Sequence, residues 1–207
     1  MSNYFYNKQN NYSDVKRLIS FVNSAKIVSE KQALALLEKI GLDEKRINGV
    51  INILKRNNFV SFTESGKYII SNSISRENAM SLFDNIEKIN WLFVDLSKYY
   101  NSINFDCKYP CKAFIYNVNT GDSINVFEIR KDRISRDINV IDTNFSTKNS
   151  EISPIDSIIF IEDADEIDEI FLPETLNVMA FATLTKDDNG CSKIIYYDSN
   201  KNRMEIV

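Results

Sequence analysis

Histidine is absent from this 207-residue chain. That removes Ser-His-Asp and Cys-His catalysis, and any zinc site built on imidazole. Cysteine is scarce, with only Cys107, Cys111 and Cys191 present. An odd number of thiols, with no secretion signal, argues against a disulfide framework. Three thiols hold a metal only with help from a carboxylate, and Cys-x3-Cys beside Pro110 is a weak metal pattern. Neither a structural metal nor a cofactor is expected. With 5 Gly and 3 Pro, flexible linkers are few. No apolar run is long enough to cross a bilayer, and the opening MSNYFYNKQNNY lacks the apolar core of a signal peptide. The expectation is a cytoplasmic protein without a membrane partner.

What is present favours a folded core. Hydrophobic residues make up 43% and charged residues 26%, which is globular composition and not that of a disordered chain. The length suits one ordinary domain or two small ones. The net charge of −4 conceals a split. Up to Asn72 there are eleven bases against six acids, giving +5, and the remainder carries −9. A basic head on an acidic body fits a nucleic-acid contact at one end and another task at the other. The pI of about 5.1 does not oppose this, because counter-ion release is local to the contact face.

The most informative stretch is Leu42–Ile70, LDEKRINGVINILKRNNFVSFTESGKYII. Ile47, Val50, Ile51 and Leu54 recur at i, i+3, i+4, i+7 and define one helical face. The opposite face carries Lys45, Asn52 and Arg56. Two β-rich runs follow, Phe59–Thr63 and Lys67–Ile70, joined through Glu64-Ser65-Gly66. Upstream, Ser13 caps a first helix over about Asp14 to Ser24, with Val15, Leu18, Ile19 and Val22 inward. Ser29-Glu30-Lys31-Gln32 is a capping box for a second helix reaching about Ile40, ended by Gly41. Asp43 caps the third.

In layout, Ser13–Asn72 resembles the winged helix-turn-helix superfamily. That resemblance implies a third helix in the DNA major groove and a wing tip, Glu64–Lys67, on the backbone or minor groove. Lys45, Arg46, Asn48, Asn52, Lys55, Arg56 and Lys67 are then the candidate contacts with double-stranded DNA. Asn suits adenine and Arg suits guanine. Other uses of the same face are an ordinary solvated helix surface or a protein-binding module.

A longer helical pattern follows Ser75: Ala79, Met80, Leu82, Phe83, Ile86, Ile89, Phe93, Leu96, Tyr100. The expected role is to connect head and body, or to pair two copies through residues 75–100. After Pro110 the period changes. Lys112–Val118 and Ser123–Arg130 read as a hairpin around Asn119-Thr120-Gly121-Asp122. Lys131–Pro154 reads as a long loop, Ser157–Ile161 as a buried strand, and Asp163–Phe171 as an acidic helix. Asn177–Leu184 and Ser192–Tyr197 form a second hairpin across Asp187-Asp188-Asn189-Gly190, and Asn200–Val207 a peripheral tail. Strands apolar on both faces imply a sheet covered on both sides, by the long helix and by Asp163–Phe171. The expected fold class is α+β: a flexible tail over 1–12, a winged helix over 13–72, a connecting helix over 73–104, and an acidic α/β domain of about five strands over 105–207.

The element order of the body resembles the restriction-endonuclease-like superfamily. That resemblance implies a Mg²⁺ site with Asp on the second strand and Glu-x-Lys on the third. Asp122 and Glu128-Ile129-Arg130 are the nearest features, but the Glu-x-Lys is missing, so no catalytic residue is assigned and a nuclease is a minor alternative. The acidic run Glu162, Asp163, Asp165, Glu166, Asp168 and Glu169 lacks EF-hand spacing. Acids there suit the positive end of a helix, or form a docking surface for a basic protein partner.

The span Trp91–Tyr197 further resembles an uncharacterised winged-helix family coded by mobile elements of low-GC Gram-positive bacteria. The features are Trp91-Leu92-Phe93-Val94, the Pro110-x-Lys112-Ala113-Phe114 entry, the Ser157–Asp163 strand end and Ile194-Ile195-Tyr196-Tyr197. This implies a regulatory or accessory DNA-binding role on a plasmid, phage or conjugative element. The sequence reading is therefore a non-enzymatic DNA-binding protein, with an inhibitor or interaction protein as the alternative.

Overall fold

A computed structural model describes residues 2–145, 155–174, 176–186 and 192–206. The chain is α+β and divides into two compact units, Met1–Ile103 and Asn104–Val207.

The first unit runs α1 (Ser2–Ala25), β1 (Ile27–Ser29), α2 (Glu30–Lys39), α3 (Glu44–Asn57), β2 (Val60–Phe62), β3 (Tyr68–Ser71) and α4 (Arg76–Leu96). The backbone of α1 is helical from Ser2, so the flexible tail expected over 1–12 is replaced by helix. Each later helix starts where the sequence offers a cap. Ser29 accepts from Gln32 N–H, and the Gln32 side chain accepts from Ser29 N–H in return. Asp43 accepts from Arg46 N–H at 2.8 Å and Ser75 from Asn78 N–H at 3.3 Å. These bonds satisfy N–H groups that a helix start leaves unpaired. Asn58, in the left-handed region at φ 50°, ends α3 and turns the chain into β2.

The three strands form a sheet in the order β1-β3-β2, antiparallel throughout. The core beneath it is apolar: Leu18, Val22, Ile27, Leu36, Leu37, Val50, Leu54 and Ile69 are all fully buried. α4 is unbroken across Asp84-Asn85 and packs on α2 and β1. Phe93 meets Phe21 of α1 with centroids 4.9 Å apart, and Phe83 meets Tyr68 of β3 edge-on at 4.9 Å. Its apolar stripe is thus buried inside its own unit, with Met80 and Leu82 left about a third exposed, at 38% and 37%. Within the head, that stripe finds its partners on α1, α2, β1 and β3.

A buried polar knot ties these helices together. Gln32 Nε2 donates to Glu87 O at 3.1 Å, and Asn90 Nδ2 donates to Ile27 O at 3.1 Å. At the far end of α4, the Arg17 guanidinium donates to the carbonyls of Ser97 and Tyr100. A cation on the last carbonyls satisfies acceptors that the helix end leaves open.

The second unit is a seven-stranded mixed sheet ordered β10-β9-β8-β7-β6-β5-β4. Its strands are β4 (Ser102–Asn104), β5 (Cys111–Tyr116), β6 (Ser123–Glu128), β7 (Ile155–Phe160), β8 (Leu176–Lys186), β9 (Ser192–Tyr197) and β10 (Arg203–Met204). β6, β7 and β8 are parallel neighbours, flanked by antiparallel pairs. Seven strands replace the five expected, because short β4 and β10 add to the two edges. Residues 187–190, expected as a hairpin turn, and residues 146–154 lie outside the described residues.

Two expectations about this unit fail for one reason. Lys131–Pro154, read as loop, contains α5 (Ile134–Phe145). Asp163–Phe171, read as a helix, is a 3-10 turn over Ala164–Glu169. Ile134 and Ile141 of α5 share a core cluster with Phe127, Ile159, Phe181, Ile167 and Ile170, and Ile138 packs against it. One sheet face therefore receives both segments. The other face is also closed: Val126, Ile158, Phe160, Ala180 and Ala182 are buried. Parallel strands with both faces covered read as continuous apolar runs.

Candidate nucleic-acid interface

α3 presents two faces. Ile47, Val50 and Leu54 are buried against the head's core. Lys45, Asn48, Asn52, Lys55 and Arg56 are all exposed. At about 100° per residue these five fall within a stripe about 100° wide, opposite Val50 and Leu54. Among the described residues, none of the side chains of Lys45, Asn48, Asn52 or Arg56 has a hydrogen-bond or ion-pair partner. Three cations and two amides on one free helical face can meet phosphates and the polar edges of bases.

Arg46 does not join them. It lies about 100° round the helix from Lys45 and pairs with Asp14 of α1 through Nη2 at 2.7 Å. The Asp14 side chain is only 12% exposed, so this contact braces α1 against α3. Arg46 is thus held in an ion pair with its side chain 37% exposed, unlike the unpaired Lys45 and Arg56. Asp14 three residues before Arg17 on α1 was the available signal, since one helical turn carries both residues that reach out to hold other helices.

The strand pair beside α3 sets the second part of the site. The β2–β3 turn closes through Gly66 N–H to Thr63 O at 2.8 Å and Tyr68 N–H to the Thr63 hydroxyl at 3.2 Å. Gly66 stands at φ +70°, a backbone region that favours glycine. The turn holds Lys67 exposed at the tip. Glu64 on the same tip meets Arg76 at 3.5 Å, with both side chains largely in solvent, where such a pair contributes little.

A cleft of about 370 Å³ separates the end of α3 from the strands. Lys55, Asn58, Ser61, Phe62 and Asn72 line it. Lys55 Nζ stands 5.1 Å above the Phe62 ring, close enough for a cation–π attraction that orients the ammonium. Ser61 Oγ donates to Asn72 Oδ1 at 2.7 Å, and Asn72 Nδ2 donates to Asn58 O at 2.8 Å. The cleft's walls are thereby fixed, and Phe62, Asn58 and Asn72 enter the site only through folding, not through helical spacing.

The acidic run of the second unit is arranged differently. Asp163 accepts from Asp165 N–H and caps the 3-10 turn. Glu166 points inward at 1% exposure, and its carboxylate accepts from the N–H groups of Asp163 at 3.1 Å and Glu162 at 3.4 Å. Burial raises its pKa above the ordinary carboxylate range, against the pull of those two N–H groups. Glu166 is thus a structural cap and not a docking residue. Lys201 sits 2.6 Å from Asp168 and 3.5 Å from Asp165. Glu162, Asp163, Asp165, Asp168 and Glu169 remain exposed, next to Phe171, whose ring is 82% exposed.

Asp122 and Glu128 do not come together. Asp122 sits in the β5–β6 turn and accepts from the Thr120 hydroxyl at 2.6 Å. Glu128 ends β6, roughly 20 Å further along the strand, and is closed by Lys112 at 2.8 Å. Among the described residues no group of three His, Cys, Asp or Glu side chains is spaced to hold a metal ion, and no helix is long and apolar enough to cross a membrane.

Comparison with protein-family models, curated proteins and solved structures gave no match for this chain.

Proposed function

We propose that this is a non-enzymatic DNA-binding protein whose first unit is a winged helix. The carrying observation is the exposed stripe Lys45, Asn48, Asn52, Lys55 and Arg56, opposite the buried Ile47, Val50 and Leu54 on the same helix. Laid in a major groove, α3 offers its amides to base edges and its cations to phosphates. Lys67 on the β2–β3 tip reaches the adjoining backbone. A regulatory or accessory role on a bacterial mobile element is the part of this proposal that rests on the sequence resemblance alone.

The test is a band shift with duplex fragments flanking its own gene, at two salt concentrations. The expected result is nanomolar-to-micromolar binding that weakens steeply with salt. Unchanged affinity in a Lys45→Ala, Arg56→Ala variant would overturn the assignment.

A second reading rests on Phe171. An aromatic ring 82% exposed beside five exposed carboxylates offers an apolar spot in an acidic surface. A basic protein partner with an apolar pocket fits it. Co-purification that survives nuclease treatment and fails in Phe171→Ala supports this role.

A further inference from the structure

One part of the acidic second unit runs against the charge of the rest. Arg130, Lys131, Arg133 and Arg136 follow one another with Asp132 the only acid among them. The 3-10 turn Lys131–Arg133 and the first turn of α5 carry the last three of these bases. Lys131 and Arg136 are exposed, and so is Lys108 in the turn before β5. Arg133 meets Asp132 at 3.3 Å in a pair open to solvent, which contributes little. Among the described residues, the side chains of Lys108, Arg130, Lys131 and Arg136 have no hydrogen-bond or ion-pair partner.

Tyr109 stands among these cations, 41% exposed. Its hydroxyl donates to Asp137 Oδ1. Asp137 is fully buried, and its Oδ2 accepts from Arg130 N–H at 3.2 Å. A buried carboxylate therefore ties the ring to the start of α5. Arg133 and Arg136 lie within about one helical turn of that same residue. The bond to Asp137 lifts the Tyr109 phenol above its ordinary pKa, while Arg133 and Arg136 pull it down from nearby. The backbone is held as well: Asn144 Nδ2 donates to Tyr109 O at 3.3 Å, and Cys111 N–H donates to Lys108 O at 2.9 Å. The ring is thus fixed at its hydroxyl and at its backbone, yet much of it stays open to solvent.

We propose that Tyr109 is a base-stacking platform and that Lys108, Arg130, Lys131, Arg133 and Arg136 hold the phosphates of a single-stranded nucleic acid. Every base has a π-face, and an aromatic ring beside cations is a sequence-tolerant way to hold a strand. A ring already fixed in place loses little freedom when a base stacks on it. Guanidinium forks match phosphate oxygens in pairs. The exposed ring is what selects the ligand. A duplex keeps its bases stacked on each other and offers this surface only phosphates. An acidic protein segment would meet the cations and leave the ring unused. This ligand differs from the duplex proposed for α3, and neither reading depends on the other.

The test uses the full chain and a fluorescent oligothymidylate of about twelve nucleotides, read by anisotropy. Tyr109→Ala should weaken binding about tenfold, while the duplex band shift stays unchanged. Tyr109→Phe keeps the ring and should lose no more than about threefold. Lys131→Ala with Arg136→Ala, both at exposed positions, should reduce the slope of log affinity against log salt by about 1.4. An iodouracil-bearing strand should photo-crosslink to Tyr109, and the crosslink should survive in Lys45→Ala with Arg56→Ala. Unchanged oligothymidylate affinity in Tyr109→Ala would overturn the proposal. So would a loss in Tyr109→Phe as large as in Tyr109→Ala, which would make the hydroxyl's bond and not stacking the cause. A crosslink that maps only to the first unit would overturn it too.

Discussion

Two charged runs, α3 and the 3-10 turn Ala164–Glu169, look equally exposed in the sequence and behave differently in space. The cations of α3 stand on a 14-residue helix whose buried stripe fixes which residues face out. Four of its outward polar side chains have no partner among the described residues. The acidic run is short and tightly turned, so the carboxylates of Asp163 and Glu166 fold back on their own backbone. Glu166 and Asp163 cap the turn, while Asp165 and Asp168 take Lys201. Charge counted along a chain is therefore not all available to a partner. The split between units makes the same point more coarsely. Counted to the unit boundary at Ile103, the first unit carries fourteen bases against ten acids, +4, and the second eleven against nineteen, −8.

The contrast can be broken or sharpened by measurement. The largest effect is expected from Leu54→Ala, which empties a fully buried position of α3. About 3 kcal/mol of stability should be lost, seen as a lower urea midpoint with unchanged slope. A loss under about 1 kcal/mol would mean that packing does not fix the stripe.

Next in size is Lys55→Ala with Arg56→Ala. DNA affinity at physiological salt should fall about tenfold, equal to about 1.4 kcal/mol. The slope of log affinity against log salt should shrink by about 2. Glu162→Ala with Glu169→Ala should leave DNA binding within about twofold. Equal effects from the two pairs would erase the distinction drawn between the runs.

Asp43→Ala and Asp163→Ala remove one cap from each run. Asp43→Ala should cost about 1 kcal/mol. Asp163→Ala should cost less, because the 3-10 turn has fewer N–H groups to satisfy.

The smallest effect belongs to Glu166→Gln, and its sign depends on pH. The folded pKa of Glu166 lies above the ordinary value, so the folded chain holds that proton more tightly than the unfolded chain. Stability from this group is thus present at low pH and declines as pH rises through the window between the two values. The wild type should gain on Glu166→Gln as pH falls from 7 toward the ordinary carboxylate range. Paired urea titrations at neutral and mildly acidic pH read this difference. Wild type gaining on Glu166→Gln as pH rises would contradict the burial argument.

Much of the first unit was legible because local rules agreed with each other. Ser29 with Gln32, Asp43, Ser75 and Gly66 each marked a boundary through a backbone hydrogen bond or a positive φ. The apolar spacing of α3 located its free face. The second unit was less legible. Ile134, Ile138 and Ile141 carry helical spacing inside α5, but the polar residues between them and a breadth of only one residue per turn hid it. The acidic run was read as a helix from its charges alone, and the capping box that Asp163 and Glu166 form opens a 3-10 turn instead.

The sequence by itself determined the starts of α2, α3 and α4, the α+β class, the basic excess of the head and the face of α3 that points outward. These follow from hydrogen bonds and periodicities spanning a few residues. Only the tertiary structure decided that Arg46 is tied to Asp14 across 32 positions, that α4 is buried in the head, and that Glu166 turns inward. Those outcomes depend on which distant groups compete for a side chain, and no local pattern records that competition.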